Sequence, residues 1–211
     1  MVIRPMIVDG PAMATPNVWA LVTVCVATLA VFLLSAWLIC RKFSKGTDMF
    51  RHWPLYLSAV VGLILLLTYG ATITTVKGMI LTLVLLYASL MDLKSRQCPN
   101  FIPAMILILA FVGFEIEDLA SMLAGAAAVF IPQLATNILA PNRAIGGADI
   151  KISTALAFLM GAEKGIFALL IGLLLAVIVT AIRNGLEKRD QKASFALVPY
   201  LWIGATIAYL I

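Results

Sequence analysis

The sequence predicts an all-α protein that crosses a lipid bilayer several times, and three observations carry that expectation. Of its 211 residues, 63% are hydrophobic and only 12% are charged, where soluble domains run closer to roughly half and a quarter. Mean hydropathy is +1.08. The apolar residues gather in runs that approach or exceed the roughly 20 needed to span a bilayer as a helix, separated by short polar connectors.

The runs read in order as 17–40, 53–75, 78–92, 101–114, 119–140, 151–162, 165–183 and 196–211, about eight transmembrane helices. The first, Val18 to Cys40, is too long for the apolar core of a signal peptide, and no small-residue cleavage site follows it. The second and third divide before Gly78, and Pro99 and Asn100 open the fourth. Runs 101–114 and 151–162 are short for a crossing, which sets a range of six to eight. "GAEKG", Gly161 to Gly165, is a turn signal between the sixth and seventh. The longest polar stretch, 41–52, is too short for a soluble domain, so 1–211 is expected to form a single membrane domain.

The net charge of +5 matters less than its distribution. Connectors 41–52, 93–100, 141–151 and 183–195 hold Arg41, Lys42, Lys45, Arg51, Lys94, Arg96, Arg143, Lys151, Arg183, Lys188, Arg189 and Lys192. The alternate connectors and the N-terminal tail hold Arg4, Lys77 and Lys164, with the acidic "EIED" from Glu115 to Asp118. The positive-inside rule puts the first set in the cytoplasm and both termini outside.

Cys25, Cys40 and Cys98 are scattered, with no C-x-x-C pair, so neither a zinc site nor a disulfide framework is expected. Trp53, Tyr56, Tyr200 and Trp202 read as interfacial anchors. Gly62, Gly70, Gly125 and Gly172 read as points of close helix approach. No metal, cofactor or nucleic acid is expected.

Two carboxylates stand out. Asp92 ends a span running inward and Asp149 precedes one running outward, so both fall at the cytoplasmic face and at the same depth. An ionisable side chain near a membrane core is expensive and marks function by default. The plainer account makes each an interfacial residue paired with Lys94 or Lys151, two positions on. The neighbours tip the balance. Gly146, Gly147 and Ala148 leave almost no bulk before Asp149, so a helix or an extended substrate can come close. Pro99 and Asn100 stop the helix carrying Asp92. Two carboxylates a few ångströms apart cannot both ionise easily, so one keeps a proton. That shared-proton state is the chemistry of an aspartic protease, in which one carboxylate activates water and the other donates to the scissile carbonyl. The lone histidine, His52, sits in a basic loop with no Ser or Cys arrangement around it.

"MDLKSRQCPN" resembles the first active-site segment of the type IV prepilin peptidases, an Asp followed seven residues later by Pro-Asn: here Asp92, Pro99 and Asn100. "GGADIK" is similar to that family's GxGD segment, with Gly146, Asp149, Ile150 and Lys151 matching and Ala148 in place of the second glycine. "SFALVPYLWIG" resembles its final span through Phe195, Pro199 and Tyr200. The resemblance covers about residues 78–211, the expected peptidase core. Presenilin-like proteases share GxGD, but Met91 rather than Tyr precedes Asp92 and the late proline sits in "VPY".

The resemblance implies an aspartic endopeptidase of the bacterial or archaeal cytoplasmic membrane. Its partners are the bilayer and a prepilin or pseudopilin, whose basic leader it removes at the cytoplasmic face. Asp92 and Asp149 are the implied catalytic pair, with Lys94, Arg96 and Lys151 as contacts for acidic groups near the cleavage point. Longer members carry a zinc-binding cytoplasmic domain after the first span and also methylate the new N-terminus. Here that loop is "RKFSKGTDMFRH" with no cysteine pair, so methyltransferase activity is not expected. Two other classes compete: a small transporter or channel using the aspartates as a proton or cation relay, and a non-catalytic scaffold for pilin-like helices. A relay predicts ionisable residues strung along a path through the membrane, whereas these two are concentrated at one face.

Overall fold

A computed structural model of the chain describes residues 18–43, 53–139, 145–187 and 196–211. Seven α-helices account for nearly all of them: α1 (Val18–Phe43), α2 (Trp53–Tyr69), α3 (Ile73–Ser95), α4 (Phe101–Ala110), α5 (Leu119–Leu139), α6 (Gly147–Glu187) and α7 (Val198–Leu210). A 3-10 turn, Ile116–Asp118, leads into α5, and there is no strand among the described residues. Phe195 and His52 lie outside the described residues, as do Arg4, Lys45, Arg51, Arg143, Lys188, Arg189 and Lys192 from the charge pattern.

Four stretches are long and apolar enough to cross a membrane: Val22–Phe43, Ile73–Ser95, Ile116–Leu139 and Gly147–Arg183. Trp53–Tyr69, Phe101–Ala110 and Val198–Leu210 are shorter apolar helices. Large apolar side chains stand in the open along α1, α4, α5 and α6, among them Val31, Ile108, Ile131 and Val177. A surface apolar over this extent is matched to lipid rather than to water. Of the four long stretches α3 is the central one, with 61% of its most apolar window buried against 11–22% for the others. Leu86 and Ala88 on α3 meet Ile102 and Ile106 of α4 and Ile152 of α6 in one core, all at 0% exposure.

The second and third spans divide earlier than the hydropathy pattern suggests. Gly70, at φ 63°, ends α2 in the left-handed region, which costs glycine little. Thr72 caps α3, its hydroxyl accepting the Thr75 N–H at 3.4 Å. Lys77 therefore sits inside α3 rather than in a connector, and its Nζ donates to the Ala110 carbonyl at 3.3 Å. Gly70 is a chain reversal, not the close helix approach expected of it.

The turn expected in "GAEKG" falls on Gly161, where φ is 80° and ψ −179° inside α6. A Cβ added to Gly165 would lie 2.5 Å from the Ala157 Cα. In an unbroken helix, residues eight apart are about 12 Å apart along the axis. The limbs 147–160 and 162–187 are thus folded back on each other, and only glycine at 165 lets them touch. Gly125 brings α5 against the hairpin tip, and Gly172 and Gly204 bring α7 against the second limb, Gly204 facing the Ala168 carbonyl.

Trp202 is not the interfacial anchor expected: it is 1% exposed, at the heart of the core. Proline near the start of α7 sets the helix where Trp202 points inward, while Trp53 and Tyr56 remain exposed. At the far end of α7, the Tyr209 hydroxyl donates to the Thr74 carbonyl (2.8 Å) and Tyr69 donates to the Tyr209 carbonyl (2.7 Å). These bonds tie α7 to α2 and α3.

Candidate active site

Asp92 lies in the last turn of α3. The helix ends because Arg96 adopts the left-handed conformation, φ 54°, and returns its N–H to the Asp92 carbonyl at 2.9 Å. The Asp92 side chain turns inward and is only 8% exposed. Its Oδ2 accepts the Val198 N–H at 3.2 Å, with Leu197 N–H beside it. Val198 is the first residue of α7 and Pro199 the second, so this N–H has no partner within its helix. A carboxylate at a helix N-terminus satisfies that donor and faces the positive end of the helix dipole. The "VPY" segment therefore serves Asp92 through its backbone. Proline near a helix start was the signal in the sequence that an orphan N–H stood there.

Asp149 occupies the first turn of α6 and is half-buried. The two glycines before it do different jobs. A Cβ on Gly146 would come 2.8 Å from Asp149 Oδ2, whereas one on Gly147 would meet nothing within 4 Å. The entry to the helix is held from α5: Asn137 Oδ1 accepts the Ile145 N–H (2.6 Å) and its Nδ2 donates to the Ile145 carbonyl (3.0 Å). Ile150 N–H then bonds the Gly146 carbonyl at 3.1 Å, starting α6. Asn137 was not singled out from the sequence, where an Asn late in an apolar run carries no distinctive spacing.

The two segments are tied to each other. Lys151 Nζ donates to Asn100 Oδ1 at 2.9 Å, so the Lys of "GGADIK" holds the Asn of "CPN". Pro99 turns the chain into α4 through Ile102 N–H to its carbonyl, 3.2 Å.

Asp92 and Asp149 open onto one cavity of about 1030 Å³. Gly146, Gly147, Ala148, Arg96, Gln97 and Cys98 line its carboxylate end. Most of the remaining wall is apolar: Ala128, Val129 and Pro132 on α5, and Ile166, Leu169, Leu170 and Leu173 on the second limb of α6. Gln133 and Thr136 of α5 complete the lining with Ile145 and Leu197. Lys94 stands elsewhere, its Nζ 5.9 Å from the centre of the Phe43 ring and outside the lining.

Cys98 reports on both acids. Burial pushes its thiol up to about 12, and the charges of Asp92 and Asp149 add to the effect. At neutral pH it is an un-ionised thiol, whose Sγ approaches the Ala88 carbonyl at 3.7 Å, so it is no nucleophile. Among the described residues no three His, Cys, Asp or Glu side chains gather in a way that could hold a metal ion. What the arrangement offers is two carboxyl groups, room for water, and an apolar groove leading up to them.

Two carboxyl groups of a helical, lipid-matched chain thus line one largely apolar cavity. Residues 79–181, just under half of the chain, match the type IV leader peptidase family, which supports a prepilin peptidase-family protein and indicates a peptidase. That stretch runs from the body of α3 through nearly all of α6 and includes both aspartates. No individual curated protein and no solved structure matches the chain.

Proposed function

We propose that the chain is an aspartic endopeptidase that removes the basic leader from type IV prepilin-like proteins at the cytoplasmic membrane face, without methylating the product. The observation that carries this reading is the opening of Asp92 and Asp149 onto one cavity with an apolar far wall. An apolar substrate helix fits that wall while its basic leader stays in the cytoplasm, so the bond between them meets the two acids. The basic connectors around both sites put that face inside, with about eight crossings and both termini outside. The α6 hairpin supports counting 151–162 and 165–183 separately. The core is 78–211. Arg96, on the cavity lining, is the basic residue offered to an acidic group near the cleavage point, and Lys94 is assigned to topology.

In the reaction the two carboxyls share one proton. The ionised one takes a proton from a water between them, and the oxygen of that water adds to the scissile carbonyl carbon. The protonated one donates to the carbonyl oxygen, giving a tetrahedral diol. A proton then passes to the amide nitrogen, the C–N bond breaks, and the products are a new carboxyl on the leader and a new amine on the mature chain.

The test is cleavage of a prepilin with a basic leader in membranes carrying the native chain, Asp92→Asn or Asp149→Asn. Loss of the leader with the native chain, and its retention with each variant, is the expected result. Efficient cutting by either variant sinks the two-acid mechanism.

A further inference from the structure

Helix α5 carries two features at the cavity that the two-acid reaction does not use. Pro132 lies inside the helix and has no N–H, so the Ala128 carbonyl one turn back loses its helical donor. Ala128 and Pro132 both line the cavity. The next residue, Gln133, is a carboxamide 8% exposed within an apolar span. Its Oε1 accepts from the Ser153 hydroxyl at 3.0 Å, one turn beyond Asp149, a bond that does not engage Nε2, and the residue lines the cavity. A buried amide in a membrane helix is costly and marks a function. The α5 wall therefore offers an acceptor that lacks its usual helical donor and a carboxamide donor, on a helix that lines the same cavity as the two acids.

A substrate segment needs both. While the scissile bond belongs to a helix, its carbonyl is occupied and shielded. To be attacked, about one turn must open, which frees N–H and C=O groups where water is scarce. Such groups are tolerated at membrane depth only where protein or water pairs with them.

We propose that the Ala128 carbonyl and the Gln133 carboxamide pair with the opened backbone of the substrate around the cleavage point. Gln133 is then a substrate-positioning residue, set by Ser153. This inference rests on the peptidase reading above. Because the pairing forms only once the segment is opened, it acts on turnover more than on capture. The apolar wall, which Ile166, Leu169 and Leu173 supply from α6, sets capture.

The test compares kcat and KM for a basic-leader prepilin in membranes, using the native chain, Pro132→Ala, Gln133→Met and the two Asp→Asn controls. Pro132→Ala restores the helical donor to Ala128 and improves helix propensity, so a folding defect does not explain a loss there. The expected result is a fall in kcat of about 5- to 100-fold for each α5 variant, the range of one buried hydrogen bond, with KM little changed and thermal stability of Pro132→Ala equal or higher. Native kcat in Pro132→Ala, or a loss confined to KM, overturns the proposal. If Gln133→Met unfolds, seen as rapid alkylation of Cys98, Pro132→Ala alone decides. If the Asp→Asn controls still cut, or the native chain cuts nothing, the peptidase reading fails and takes this proposal with it. If the controls are dead and both α5 variants cut at the native rate, only this proposal fails.

Discussion

Replacing Gly146 by alanine is the most pointed single perturbation of the site. Its backbone is not in the left-handed region, so the new methyl brings no dihedral strain. The collision is with the acid itself: the Cβ would stand 2.8 Å from Asp149 Oδ2, where an ordinary contact begins at 3.4 Å. The carboxylate must therefore retreat by about 0.6 Å or rotate away. Displacing a reacting group by about 1 Å can cost on the order of 100-fold, so kcat/KM for a prepilin substrate is expected to fall roughly 10- to 100-fold. Gly147→Ala is the matched comparison, since its Cβ meets nothing within 4 Å, and its loss should be smaller by about an order of magnitude. Both variants should be equally stable to heat, because neither methyl enters the packed core. Equal losses in the two, or a Gly146→Ala enzyme within about twofold of native, well inside the loss tied to a 1 Å shift, would refute the claim that this contact sets the position of the carboxylate.

Two further outcomes follow from neighbouring features. With Cys25 and Cys40 replaced by alanine, Cys98 at a pKa of about 12 should alkylate at pH 8 on the order of a thousandfold more slowly than a free thiol, because thiolate is the nucleophile. The rate should climb tenfold per pH unit above that. Asp92→Asn or Asp149→Asn should speed it by removing a negative charge; an unchanged rate in both would show that Cys98 does not sense the acids. Gly165→Val forces a branched side chain against Ala157 and should cost about 1–3 kcal/mol as overpacking, read as a lowered midpoint of thermal unfolding in detergent. A variant as stable as the native chain would contradict the closeness of the two α6 limbs.

Much of the architecture could be read from the chain because the membrane imposes its rules locally. Apolar run lengths located the helices to within a few residues, and Gly161 announced the break in α6. The division near Gly70 was missed because hydropathy runs unbroken through "LLTYGATITTV", and only the positive φ and the Thr72 cap separate the helices. Trp202 was misjudged because an aromatic near a span end is equally apt for core or interface, and packing decides between them. At the site, acids and glycines could be named because charge is rare in an apolar chain. Asn137 and the Lys151–Asn100 bond could not, and the proline of "VPY" marked an orphan N–H without naming Asp92 as its partner, since each pairing is a matter of three-dimensional approach.

Helix α7 works as a gauge rod. One end is pinned by Tyr209 to α2 and α3, and the other presents the Val198 N–H to Asp92. At 1.5 Å per residue the interval between those fixtures is about 16 Å. One residue inserted between them would lift the donor by about 1.5 Å and swing it by about 100°, leaving a buried carboxylate without its partner while hydropathy stayed the same. The length of α7 is thus a calibrated distance, and indels there should be tolerated far less than in the apolar wall of α1.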